Sequence, residues 1–166
     1  MMDKETQKVM FSSESVEWST PKDFYERLNS KYNFNLDPCS TKDNAKCSDH
    51  FTLEDDGLSK SWEGKKVFMN PPYGRAIKDW IKKAYEEGQK PGTLVACLIP
   101  ARTDTRYWHD YCMKATEIFL VKGRIHFESG DTKAPAPFPS AVVVFRGPPV
   151  KRMARPSVRF STMEAR

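Results

Sequence analysis

The chain has 166 residues, 39% hydrophobic and 30% charged, a globular composition with length for one domain and a sizeable core. No apolar run approaches the ~20 residues of a membrane span, and the start Met1-Met2-Asp3-Lys4-Glu5-Thr6 lacks the charged-then-apolar pattern of an export signal, so a cytoplasmic protein is expected. The net charge of +5 is uneven: residues 1–100 carry 15 basic against 16 acidic side chains, residues 101–166 carry 12 against 6, so the C-terminal third is the expected face toward a polyanion.

Residues 1–15 are polar and non-periodic and read as a loose arm. Helical spacing of Phe24, Tyr25 and Leu28 predicts a helix over 22–32, with Thr20 as N-cap and Pro21 in the first turn. Asn33 to Leu36 reads as the first strand, and a short second strand could lie within 45–53. Residues 56–62 read as a loop with a half-turn, and 66–69 as a strand. The best amphipathic helix covers 76–89, stopped by Gly88, Pro91 and Gly92. Thr93 to Ile99 is a continuous apolar strand of the kind buried on both faces. A helix over 107–113 follows, then strands at 118–121, 126–127 and 141–145, with 131–139 a proline-rich loop. Strands alternating with helices predict a three-layer, Rossmann-like α/β domain over 16–147, with a mostly parallel sheet and late antiparallel strands. Residues 148–166 read as a basic tail.

Four cysteines in a chain expected to be cytoplasmic are thiols by default. Cys39, Cys47 and His50 match no metal-ligand spacing, and no metal site is expected. Cys97 sits within an apolar strand and reads as a small core residue.

The most informative stretch is Asn70-Pro71-Pro72-Tyr73, between the 66–69 strand and the 76–89 helix. Such a loop suits the task of holding a planar amine. The lone pair of an aromatic amine is delocalised into its ring. Acceptors on its two N–H bonds localise that lone pair and disperse the positive charge that develops during attack on a methyl donor. Asn70 can supply a side-chain oxygen. Pro71 can supply a backbone carbonyl, and neither proline adds a competing N–H. Tyr73 offers a flat face to a base, worth ~1–3 kcal/mol. A base within a duplex would first have to be flipped out. The bland alternative is a turn after a strand.

The chain resembles the phage DNA N-6-adenine methyltransferase family, the short Dam-type enzymes of phages and prophages. The resemblance runs from about Val16 to Arg146. It rests on an ordered set: Glu17-Trp18-Ser19-Thr20-Pro21, Leu36-Asp37-Pro38-Cys39, Asp56-Gly57-Leu58 with Trp62, the Asn70 tetrapeptide, residues 98–105, Gly123-Arg124-Ile125-His126-Phe127, and Phe138-Pro139-Ser140. It implies S-adenosylmethionine as donor and adenine N6 in double-stranded DNA as acceptor, in a bacterial host cell. It also implies that Asn70, Pro71, Pro72 and Tyr73 form the catalytic loop. Thr20 and Pro21, beside Trp18, would meet the methionine end of the donor; Asp37, Pro38 and Cys39 would form the donor motif; and Asp56 would lie near the adenosine. One departure stands out: no glycine precedes Gly57 in the first-strand motif, so close backbone approach must be met another way.

Arg102, Thr103 and Arg106 follow a strand end on the side of Asn70 and, with Arg124, are the candidate DNA contacts. His109 and His126 are not needed as bases, since the amine loses its proton readily after methylation. A monomer is the expected state. Two other functions share these residues: methylation of a protein glutamine amide, and DNA binding without catalysis.

Overall fold

In the computed structural model, residues 18–129, 132–149 and 158–165 are described; the arm at 1–15 and residues 150–157 of the expected tail lie outside them. The elements are α1 (Lys22–Tyr32), β1 (Lys66–Met69), α2 (Ile77–Glu87), β2 (Leu94–Pro100), α3 (Arg106–Asp110), β3 (Glu117–Lys122), β4 (His126–Ser129), β5 (Thr132–Pro135), β6 (Ser140–Arg146) and β7 (Arg159–Glu164). Short 3₁₀ turns occupy Leu53–Asp55, Gly57–Ser59 and Cys112–Lys114.

The main sheet has the order β1-β2-β6-β3-β7, and β4 and β5 form a separate hairpin. As expected, the sheet is mostly parallel with one late antiparallel strand. β1 pairs with β2 in parallel, as does β3 with β7, but β6 inserts between β2 and β3 antiparallel to both. The expected first strand is reduced to isolated bridges, Leu36 to Val67 and Asp37 to His50. Pro38 brings no N–H to extend a ladder there. β5 occupies part of the segment read as a loop, and β7 lies in the sheet where the sequence suggests a tail.

Two apolar layers sandwich the sheet because its central strands bury both faces: β2 is buried along its whole length and β6 at all positions but Arg146. Val95, Cys97, Ile99, Val143 and Phe145 pack with Trp80, Ile81 and Ala84 of α2 and with Trp108 of α3. Ala96, Leu98, Val142 and Val144 pack with Phe24, Leu28 and Tyr32 of α1 and with Phe127 of the hairpin. α1 buries every fourth residue, 24, 28 and 32, and ends on Asn33 in the left-handed region (φ 53°), a conformation asparagine tolerates. α2 buries Ile77, Trp80, Ile81 and Ala84, a helical stripe.

Glu87 closes α2 against the loop before β1. Its carboxylate accepts from the Trp62 N–H (2.9 Å), Lys83 Nζ (2.8 Å) and Lys90 Nζ (2.9 Å). Burial alone would raise its pKa, but these donors hold it below the usual carboxylate value.

β2 and β3 both oppose β6, so β1, β2, β3 and β7 all end at one edge of the sheet. Ligands in open α/β sheets bind at this edge.

Candidate active site

A cleft of about 740 Å³ opens at that edge, lined among others by Trp18, Thr20, Asp37, Cys39, Gly57 and Asn70. Its size is within the range of small-molecule sites. Three loops converge on it: the segment before α1, residues 37–46 with the 3₁₀ turns after them, and the loop after β1. Of the expected donor residues, Trp18, Thr20, Asp37, Pro38, Cys39 and Asp56 line the cleft and Pro21 does not. Of the expected catalytic loop, Asn70, Pro71 and Pro72 line it; Tyr73 turns aside.

Asn70 follows directly from β1. Its Nδ2 donates to the Trp18 carbonyl (2.8 Å) and to Thr20 Oγ1 (2.9 Å), while its Oδ1 accepts from the Tyr73 hydroxyl (3.0 Å). This explains a failed sequence expectation: Thr20 does not cap α1. Pro21 occupies the N-cap with no side-chain cap bond, and the Thr20 hydroxyl serves Asn70. Thr20 is 1% exposed. Tyr73 packs in an aromatic cluster with Trp18, Phe127 and Phe138, at centroid distances of 6.2, 6.3 and 5.4 Å. Burial pushes its phenol up, so it stays a hydroxyl donor. Ser19 bridges to Glu128 of β4 through two backbone bonds (3.3 and 3.0 Å), tying the segment before α1 to the hairpin.

Asp37 is buried, and its two oxygens accept from the backbone N–H groups of Cys39 (3.4 Å) and Lys46 (3.0 Å). It thereby folds its own loop, and burial, partly offset by these bonds, raises its pKa. The Cys39 thiol, also pushed up by burial, donates to the Asn70 carbonyl (3.3 Å) and joins the loop after Leu36 to the loop after β1. Cys47 faces the Tyr25 hydroxyl instead (3.5 Å), so the two cysteines serve different partners.

A Cβ at Gly57 would run into the Pro38 carbonyl oxygen, so Gly57 lets the turn after Asp56 close on the loop of residues 37–39. Asp56 is exposed at the rim in the left-handed region (φ 53°). Its neighbour Asp55 is committed to capping, accepting from the Thr52 N–H (2.8 Å) and hydroxyl (3.0 Å).

Several cleft residues escaped the sequence reading. Leu53 is 70% exposed at the rim, Trp80 contributes to the wall from α2, and Thr41 and Asn44 brace their loop by reciprocal bonds (2.7 and 3.2 Å). Only the turn Thr41-Lys42-Asp43-Asn44, rich in turn formers and exposed at Lys42 and Asp43, carried a local signal. Arg102, Thr103 and Arg106 are exposed beyond β2, and Arg124 is exposed beyond β3. All four sit at the cleft edge of the sheet but outside the cleft lining; Arg124 borders a smaller recess with Lys122, His126 and Glu164.

A family model described as DNA N-6-adenine-methyltransferase (Dam) matches residues 8–162. The chain belongs to that family. The DNA N-6-adenine-methyltransferase of Haemophilus phage HP1 is 26% identical over 119 residues, 69% of this chain and 68% of the relative. A putative methyltransferase of Escherichia coli K12, YfdM, is 34% identical over 64 residues, 34% of this chain and 70% of the relative. Among solved structures, a putative class I S-adenosylmethionine-dependent methyltransferase from Listeria monocytogenes aligns with a TM-score of 0.47 at 14% identity, covering 69% of this chain and 42% of that one. The family's donor is S-adenosylmethionine and its acceptor is DNA. The cleft suits such a donor: it is roomy, mostly apolar, closed by a glycine turn and supplied with a buried carboxylate. Among the described residues, no helix is long and apolar enough to cross a membrane.

Proposed function

We propose that this chain methylates N6 of an adenine flipped out of double-stranded DNA, at a defined sequence, acting as a monomer in the cytoplasm of a bacterial host. The catalytic unit is 16–147 together with β7. The observation that carries the reading is the Asn70 amide at the cleft, with both N–H groups engaged and its oxygen toward Tyr73. An sp² oxygen has two lone pairs. The Tyr73 hydroxyl takes one, which leaves a second for an adenine N–H.

The bound donor supplies an electrophilic methyl on a sulfonium. The chain's own residues do the rest. Asn70 Oδ1 and the Pro71 carbonyl accept from the adenine amine and favour the localised lone pair. The ring of Trp18, which lines the cleft, gives the base a surface to lie on, and Tyr73 backs it from the aromatic cluster. Asp37 faces the donor's ammonium, and Asp56, at the rim, its ribose. No covalent intermediate is needed, and the proton leaves the nitrogen once the methyl is attached. Arg102, Thr103, Arg106 and Arg124 meet phosphates along the same edge. Family membership favours DNA over a glutamine amide as the substrate.

Asn70→Ala tests the reading. Methyl transfer to DNA should fall by ~10²–10³-fold while donor binding by calorimetry holds, the size expected for removing one preorganised charge-stabilising group. Transfer at the wild-type rate would end it.

A further inference from the structure

The two ends of the Asn70 amide have been given different neighbours. A backbone carbonyl can only accept, so the Trp18 oxygen at 2.8 Å fixes the nitrogen end of the carboxamide. Thr20 Oγ1 at 2.9 Å takes the second N–H. With both donors occupied, the oxygen must point the other way, to the Tyr73 hydroxyl at 3.0 Å.

The carriers of these acceptors are themselves held. Trp18 and Thr20 flank Ser19, whose backbone is bridged to Glu128. Thr20 is almost fully buried, and Pro21 behind it starts α1. A swivel of the Asn70 amide by half a turn would present N–H to an amine, donor against donor, and would leave the Trp18 carbonyl facing an oxygen.

We infer that Thr20 is a positioning residue: its hydroxyl takes the second N–H of the Asn70 amide and, together with the Trp18 carbonyl, holds the amide oxygen toward the substrate amine. This rests on the adenine-N6 reading above. It gives Thr20 a role distinct from holding the donor, and the two roles predict different kinetics. A donor contact acts on donor affinity. A positioning residue acts on the rate at saturation.

Thr20→Val keeps the shape and removes the acceptor; Thr20→Ser keeps the hydroxyl. Single-turnover transfer should be measured at saturating adenine-containing duplex and S-adenosylmethionine, with donor affinity by calorimetry. Thr20→Val should slow transfer by ~10–100-fold, the penalty of a misplaced reacting geometry, with donor affinity near wild type. Thr20→Ser should restore most of the rate. Thr20→Val reacting at the wild-type rate, or losing only donor affinity, would overturn the inference. Should Thr20→Val lack a cooperative melting transition, Thr20→Ala is read by the same criteria. The Asn70 side-chain amide protons, followed by NMR without substrate, separate this inference from the reading beneath it. They should exchange faster in Thr20→Val, and unchanged exchange counts against the clamp. A wild-type protein that leaves duplex adenine unmethylated counts against the reading instead.

Discussion

At the β1 end of the sheet, the side chains of Asp37, Cys39, Thr20 and Asn70 each have a hydrogen-bond partner on a neighbouring loop or within their own. At the β7 end, Phe160 is 54% exposed and Leu120 43%, with Lys122 and Glu164 paired at 3.2 Å in solvent. Both ends are built on parallel pairs, β1 with β2 and β3 with β7. The difference lies in what covers them. Val67, Phe68 and Met69 of β1 are buried beneath α1 and α2, whereas every position of β7 is exposed or half-buried. One end of the sheet carries tolerance-free geometry for a site; the other completes the sheet. Substitutions at the two ends should therefore cost very different amounts.

The largest effect is expected at Gly57. An alanine Cβ would collide with the Pro38 backbone, and its other close neighbour is the Trp80 ring at 3.2 Å. The backbone contact cannot yield by a rotamer change, so the turn must move away from the loop of residues 37–39. Overpacking of this kind costs ~1–3 kcal/mol. Gly57→Ala should lower the melting temperature and weaken donor binding together. A variant that melts normally and binds donor normally would mean that this end of the sheet is less tightly specified than its hydrogen bonds imply.

The sequence made part of this contrast readable. α1, β1, α2 and β2 announce themselves through apolar periodicity, since each buries a stripe or a run of adjacent residues. β5 does not, because Pro135 and the prolines after it resemble a loop while the pairing that defines it lies across a hairpin. β7 is hidden for a second reason. An exposed edge strand has no apolar face to display, and its ladder with residues 117–122 is a long-range fact. In the site, Asp37, Asp56 and Asn70 each fall just after an expected strand, which already suggested one crevice. The bond from Asn70 to Thr20 could not be read, since fifty residues separate them and Thr20-Pro21 looks locally like a helix cap.

Asp37 offers a sharper probe of the β1 end through pH. Burial raises its pKa in the folded protein above the ordinary 3.8. The folded state then holds the proton more tightly than the unfolded state. The stability this group contributes is full below pH 3.8 and is lost as pH rises through the raised value. The loss amounts to about 1.4 kcal/mol for every tenfold difference in proton affinity between the folded and unfolded chains. Asp37→Asn, which stays neutral, should flatten that slope in thermal melts taken across acid to neutral pH. If Asp37 faces the donor's ammonium as proposed, the ligand should favour the ionised carboxylate. Wild-type donor affinity should then rise over the same interval and the variant's should not. Parallel pH curves for the two proteins would remove Asp37 from the donor site.

The smallest effect belongs to the opposite end. Phe160 sits on β7 opposite Ile118 of β3, yet most of its side chain meets water. Phe160→Tyr keeps the covered part of the ring and adds only a hydroxyl that water can meet, and a surface change of this kind is usually within about 0.5 kcal/mol. The variant should melt close to wild type, bind donor equally and methylate at the same rate. A loss larger than about 1 kcal/mol would mean that something covers this face in solution, which a concentration-dependent melting temperature would reveal as a second copy of the chain. The two ends would then differ in partner, not in packing.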